Sequence, residues 1–214
     1  MKIIVFGATG KTGRELVRQA LEAGHEVTAF VRDAARLEMD HPRLEVAVGQ
    51  VTSDQAAVVS AVKGYDAVVS TLGTEQTARG MRSPGLMAQA MPAIIQAMTD
   101  TGVDRLVVLS AFGVGDSLRQ APLFLKVMYK LFLGRVFADK AVSERLLRDS
   151  ALDWTLVYPI LLTDGPHTGV YRSDAQLSPG RPWRISRADV ADFTLTQLQD
   201  QSHSHRVAVV TSGA

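Results

Sequence analysis

Gly7, Gly10 and Gly13 stand three residues apart in Gly7-Ala8-Thr9-Gly10-Lys11-Thr12-Gly13, directly after the apolar run Ile3-Ile4-Val5-Phe6 and before a helical pattern reaching Ala23. Strand, glycine turn and helix in that order suit a nucleotide pyrophosphate, because glycines let the backbone turn sharply and approach phosphates at a positive helix N-terminus. The middle glycine is displaced by one place from Gly-x-Gly-x-x-Gly. The flanking strand and helix therefore carry the specificity, and an ordinary strand-to-helix turn is the competing reading. Thr9, Lys11 and Thr12 complete the candidate cofactor contacts of this loop.

The second strand ends in Val31-Arg32-Asp33. An acidic residue there binds the adenosine ribose hydroxyls of NAD, whereas an arginine accommodates the 2′-phosphate of NADP. Arg32 offers a planar fork of donors for phosphate, and Arg36 and Lys11 could add charge to the same pocket, so NADPH is the expected cofactor. The opposing reading turns Asp33 toward the ribose and leaves both arginines in solvent. After the third strand, Gln50 supplies a donor and an acceptor for adenine. Leu72 and Gly73 follow the fourth strand, across the crevice from the glycine loop, where they could line the ribose or nicotinamide.

Ser110, in Leu109-Ser110-Ala111-Phe112-Gly113, puts a hydroxyl at the expected C-terminal edge of the sheet, able to donate to a substrate heteroatom. A strand-ending serine can equally be a cap. Phe112 could form an apolar wall for the substrate, and Pro159 begins a substrate-side region of about 159–185. Within it His167 is a conceivable proton donor or a solvated loop residue. Arg79 and Arg82 could meet an acidic acceptor or simply sit in a solvated loop.

These residues need a scaffold, and the apolar pattern supplies one. Runs at 2–6, 26–31, 44–48, 67–71, 105–110 and 154–158 read as buried parallel strands, with a last strand at 206–211. Between them lie helical patterns at 14–23, 55–62, 85–101 and 136–149. Pro92 should kink the third or mark its true start. Ser186-Arg187-Ala188-Asp189 has capping-box spacing, with Asp replacing the usual Glu or Gln, and opens a helix toward Gln199. The expected fold is α/β, a doubly wound parallel sheet in three α/β/α layers, with all 214 residues in one Rossmann domain.

Twenty-three basic residues nearly balance 22 acidic ones, so net charge gives no case for nucleic-acid or anionic-membrane binding. The absence of cysteine excludes disulfides, thiolate metal sites and a cysteine nucleophile. No apolar stretch reaches the length of a membrane span; in the nearest, 122–137, Lys126, Lys130 and Arg135 interrupt. That segment could line the pocket or, in a third reading, dock on a protein or membrane surface. A cytoplasmic protein, monomeric or homodimeric, acting on a small-molecule acceptor is the simplest expectation.

Together, 7–13, 31–33, 72–74, 110–112, Asp153-Trp154-Thr155-Leu156-Val157-Tyr158-Pro159 and 185–191 resemble the atypical short-chain dehydrogenase/reductase family. The resemblance is to the NAD(P)-binding group that includes biliverdin-IXβ reductase, or flavin reductase, and the NmrA-like regulators. Gln50 departs from it, since an acidic residue is more usual after that glycine.

Typical short-chain dehydrogenases use Tyr-x-x-x-Lys, where lysine lowers the tyrosine pKa for proton exchange. This chain has no such pair: Tyr65, Tyr129, Tyr158 and Tyr171 are followed four residues later by Val69, Leu133, Leu162 and Ala175. Lys140 aligns with that lysine, but Val136 stands four residues before it. Lys140 would then support the nicotinamide ribose or pair with Glu144 on the surface. The loss argues against alcohol oxidation and sugar epimerisation, yet a conjugated ring can accept hydride with its proton drawn from solvent. The resemblance implies an NADPH-dependent reductase of a planar acceptor, a flavin, a biliverdin-like tetrapyrrole or a quinone. Its alternative is an NmrA-like regulatory module that binds NAD(P) without turnover.

Overall fold

The computed structural model describes residues 1–73, 85–115, 117, 134–175 and 183–213. Along the chain run β1 (Lys2–Phe6), α1 (Lys11–Glu22), β2 (Glu26–Val31), β3 (Leu44–Val48), α2 (Gln55–Val62), β4 (Ala67–Ser70) and α3 (Leu86–Thr101). Then follow β5 (Arg105–Leu109), α4 (Gly134–Arg148), β6 (Asp153–Pro159), β7 (Leu161–Thr163), β8 (Tyr171–Asp174), β9 (Arg184–Ser186), α5 (Arg187–Thr196) and β10 (Arg206–Ser212). Thr74, Arg79, Arg82 and residues 122–133 lie outside the described residues.

Eight strands form one sheet in the order β3-β2-β1-β4-β5-β6-β10-β8. All its pairings are parallel except β10 with β8. Helices cover both faces: α1 packs on α5 in one layer, while α2, α3 and α4 pack in sequence in the other. The strands between these layers are buried on both sides. This explains why Ile3, Ile4, Val5 and Phe6 are all inaccessible to solvent. The strand order reverses between β1 and β4, which opens the crevice where such sheets bind ligands.

The expected strands and helices form, with three revisions. β3 is not buried: it lies at the sheet edge, leaving Val46 41% and Val48 60% exposed. Pro92 does not mark the start of α3, which begins at Leu86 and runs through it. The segment after Pro159 is more than a loop, since β7 and β9 pair as a separate two-stranded sheet and β8 closes an edge of the main one. Strands of only three or four residues carry too little apolar pattern to announce themselves.

Candidate functional site

The glycine loop is held from behind. Gly7 adopts φ +87°, and a Cβ there would lie 2.8 Å from Leu72 N, against the chain leaving β4. A Cβ on Gly13 would meet the Gly7 carbonyl oxygen at 2.2 Å, so α1 can approach the loop only with glycine at that place. Gly10 and Gly73 are different. A Cβ on Gly10 would touch only Gly7 O, at 3.3 Å, and one on Gly73 would meet no described atom within 4 Å. Gly10 is crowded by that one carbonyl alone, and among the described residues nothing packs beside Gly73.

How the helices begin points the same way. Asp54 caps α2 by accepting from Ala57 N at 3.0 Å, and Ser186 caps α5 by accepting from Asp189 N at 2.9 Å. At α3 the work passes to Asp139 of α4, whose carboxylate accepts from Met87 N at 3.0 Å and Ala88 N at 2.9 Å. In α1 the N-cap is Gly10, no side chain caps the helix, and no acidic residue sits in its first turn. Among the described residues its N-terminal amides and positive dipole end face the glycine loop without a carboxylate or hydroxyl partner. Such an uncapped start beside a backbone cradle fits a pyrophosphate.

Around this loop the predicted contacts take distinct positions. Lys11 does not pool its charge with Arg32 and Arg36. Its ammonium is 2.8 Å from Asp164, which also accepts from Arg187, so the glycine loop is tied to the chain after β7. Thr12 is buried, and the Thr9 carbonyl accepts from Arg14 Nε at 3.2 Å. Arg32 is exposed and has no hydrogen-bond or ion-pair partner among the described residues. The carboxylate of Asp33 is turned into its own chain, accepting from Ala35 N at 3.1 Å to cap the short turn 34–36. Gly49 N donates to Val31 O at 2.9 Å, bringing the end of β3, and Gln50 after it, beside the end of β2. Gln50 itself contacts Thr52, at 3.4 Å.

Across the crevice lies a buried polar cluster. Ser110 donates to Oε1 of Glu144, and Tyr158 of β6 donates to Oε2 of the same carboxylate. Lys140, one helical turn before Glu144, reaches the Leu109 carbonyl at 3.5 Å, the outer limit of a hydrogen bond. Neither Lys140 nor Glu144 is a surface residue: they are 9% and 5% exposed. Burial pushes the Lys140 ammonium down to about 8, although Glu144 and Asp139 oppose the shift. Burial raises the Glu144 carboxyl despite its hydrogen bonds from Ser110 and Tyr158. The Tyr158 hydroxyl is also raised, by burial and then by Glu144, the reverse of an activated phenolate.

These contacts change the role open to Ser110. A serine hydroxyl has one proton, and here Glu144 takes it, so Ser110 can offer a ligand only lone pairs. Among the described residues the three N–H donors of Lys140 meet one distant carbonyl, which makes it the donor of the cluster. Phe112 is 1% exposed, with its ring edge against Trp183 at 5.9 Å between centroids; it backs the crevice rather than facing it openly. Pro159 is buried, and its carbonyl accepts from Phe112 N at 3.0 Å. His167 lies in a loop, exposed, with its Nε2 3.6 Å from Asp192. Tyr158, Asp139 and Arg14 were not legible as site residues. Each acts through a partner far away in sequence or through a backbone carbonyl, and neither leaves a motif.

A family model described as NAD(P)H-binding matches residues 7–201. The chain belongs to that family. Its membership bears out the NAD(P)-binding resemblance read from its motifs. It is 29% identical to YwnB of Bacillus subtilis over the full length of both chains. It is 40% identical to the isoflavone reductase homolog IRL of Zea mays, over 98% of this chain and 68% of that protein. Among solved structures, the oxidoreductase ylbE of Lactococcus lactis superposes with a TM-score of 0.82 at 18% identity, covering 100% of this chain and 91% of that one. No helix among the described residues is long and apolar enough to cross a membrane.

Proposed function

We propose that this protein is an NADPH-dependent reductase of a planar conjugated acceptor, such as a flavin, a linear tetrapyrrole or a quinone. The observation that carries the reading is the pairing of two unlike ends of one crevice. On one side is an uncapped helix start over a glycine cradle. On the other, a buried lysine stands beside the last carbonyl of β5. When bound, the reduced nicotinamide supplies a hydride.

The chain's own residues do the rest. The α1 amides and Gly10 hold the pyrophosphate. Arg32 and Arg36 meet the 2′-phosphate, while one oxygen of Asp33 is held by the Ala35 amide. Ser110 and Tyr158 hold Glu144, and Glu144 helps keep Lys140 charged. Lys140 orients the acceptor through its free donors and returns a proton to the atom that gains charge after hydride transfer. Tyr158, with its proton held by Glu144 and its pKa raised, does not perform alcohol-type proton exchange. The kinship with a plant reductase homologue supports reduction as the reaction class.

The test is NADPH oxidation followed at its absorbance with free flavin, biliverdin and quinones in turn. Saturable turnover on at least one is expected. Tight NADPH binding with no oxidation by any of them would sink the assignment and favour a cofactor-sensing module.

A further inference from the structure

We infer that Arg14 is the positioning residue that sets preference for a 2′-phosphorylated cofactor, by clamping the Arg32–Arg36 segment to the glycine loop. The inference rests on the NADPH reading above. Three of the Arg14 donors go to three acceptors in two separate parts of the chain. Nε donates to Thr9 O at 3.2 Å, within the glycine loop. Nη2 donates to Arg36 O at 2.6 Å, and Nη1 pairs with Glu38 at 2.9 Å.

Arg14 adds its bonds to the segment's own local contacts. Between Arg32 and Glu38 there is one short turn, capped by Asp33, and one buried anchor, Leu37 at 1% exposure. Glu38 has φ +51°, a left-handed conformation uncommon for a residue with a side chain. The Arg14 guanidinium bonds both to the Glu38 side chain and to the carbonyl two residues before it. One rigid group thus sets the spacing between the loop that takes the pyrophosphate and the arginines that take the 2′-phosphate. The charge of Arg14 is neutralised by Glu38, so it acts on the phosphate through geometry rather than as a further cation. A lysine would keep the charge but could not reach three acceptors lying in different directions.

The experiment measures dissociation constants of NADPH and NADH, and of 2′,5′-ADP and 5′-AMP, for the whole protein, Arg14→Lys and Arg14→Met, with thermal melts to confirm folding. Both variants are expected to weaken NADPH and 2′,5′-ADP about tenfold, the equivalent of one charge-assisted phosphate bond, and to leave NADH and 5′-AMP within about twofold. Retention of the wild-type preference by Arg14→Lys would mean that charge alone matters, and would overturn the inference. Equal weakening of both cofactors would overturn it too, reducing Arg14 to a support of the glycine loop. A wild-type protein with no preference for the 2′-phosphorylated ligands would remove the NADPH reading itself, an outcome read on the unaltered chain before any variant is made.

Discussion

The two sides of the crevice are built on opposite principles. The glycine-loop side works by leaving things out: α1 has no capping side chain, and among the described residues nothing packs beside Gly73 and Arg32 stays unpaired. The β5 side works by filling every place, with Ser110, Lys140, Glu144 and Tyr158 packed into one buried cluster. An anionic cofactor needs vacant donors, which are cheap to keep at a wet surface. A proton-handling lysine needs a shifted pKa, which only burial among compensating groups provides.

Substitutions can break either side separately. Gly13→Ala should have the largest effect, because its Cβ would overlap the Gly7 carbonyl. A backbone shift costing about 2–3 kcal/mol is expected, with NADPH affinity lowered on the order of 100-fold in a fluorescence titration. Equal binding by this variant would show that the cradle is not where the cofactor lies.

Lys140→Met tests the other side. Turnover should fall about 100-fold while NADPH affinity holds, separating the two regions in one measurement. Its stability effect has the opposite sign. The native ammonium is pushed down to about 8 by burial, below the value of an unfolded lysine, so between pH 8 and about 10.5 the unfolded chain binds more protons. Stability from this group therefore rises with pH across that window, and below it the buried charge is a standing cost. Lys140→Met should be about 1–3 kcal/mol more stable at pH 7 and lose that upward slope in chemical denaturation. In the wild type, activity that depends on the ammonium should decline as pH rises through about 8.

Asp139→Ala asks how far the cluster depends on its helix. Two α3 amides would lose their acceptor, for a cost of about 1–2 kcal/mol in thermal unfolding. Because Asp139 adjoins Lys140, turnover should fall more than NADPH affinity. Asp164→Asn is the mildest change. It breaks an exposed pair with Lys11 and should alter NADPH affinity by less than about threefold, and only at low salt. A large loss there would mean that the chain after β7 is part of the cofactor site.

The difference between the two sides also explains what could be read in advance. The glycine loop, Arg32 and the alternation of strands and helices are local: type and spacing along a few residues specify them, because a parallel sheet buries its strands and a phosphate needs adjacent backbone amides. Local pattern misjudged β3, whose valines look like a buried strand although topology leaves them at an edge. It also missed β7, β8 and β9, whose pairing partners lie far off in sequence. Val136 stands four residues before Lys140, and no local pattern foretells that Tyr158 arrives from β6 to hold Glu144.

By itself, then, the sequence determined the doubly wound fold, the glycine loop that joins β1 to α1 and the basic residues near the end of β2. Only the tertiary structure decided the state of each chemical group: Asp33 spent on a turn, Lys11 bound to Asp164, the Ser110 proton given to Glu144, Lys140 dried and shifted. The reason is physical. A backbone cradle is made by neighbours along the chain, whereas the protonation and pairing of a side chain depend on burial and on partners that folding brings together across dozens of residues.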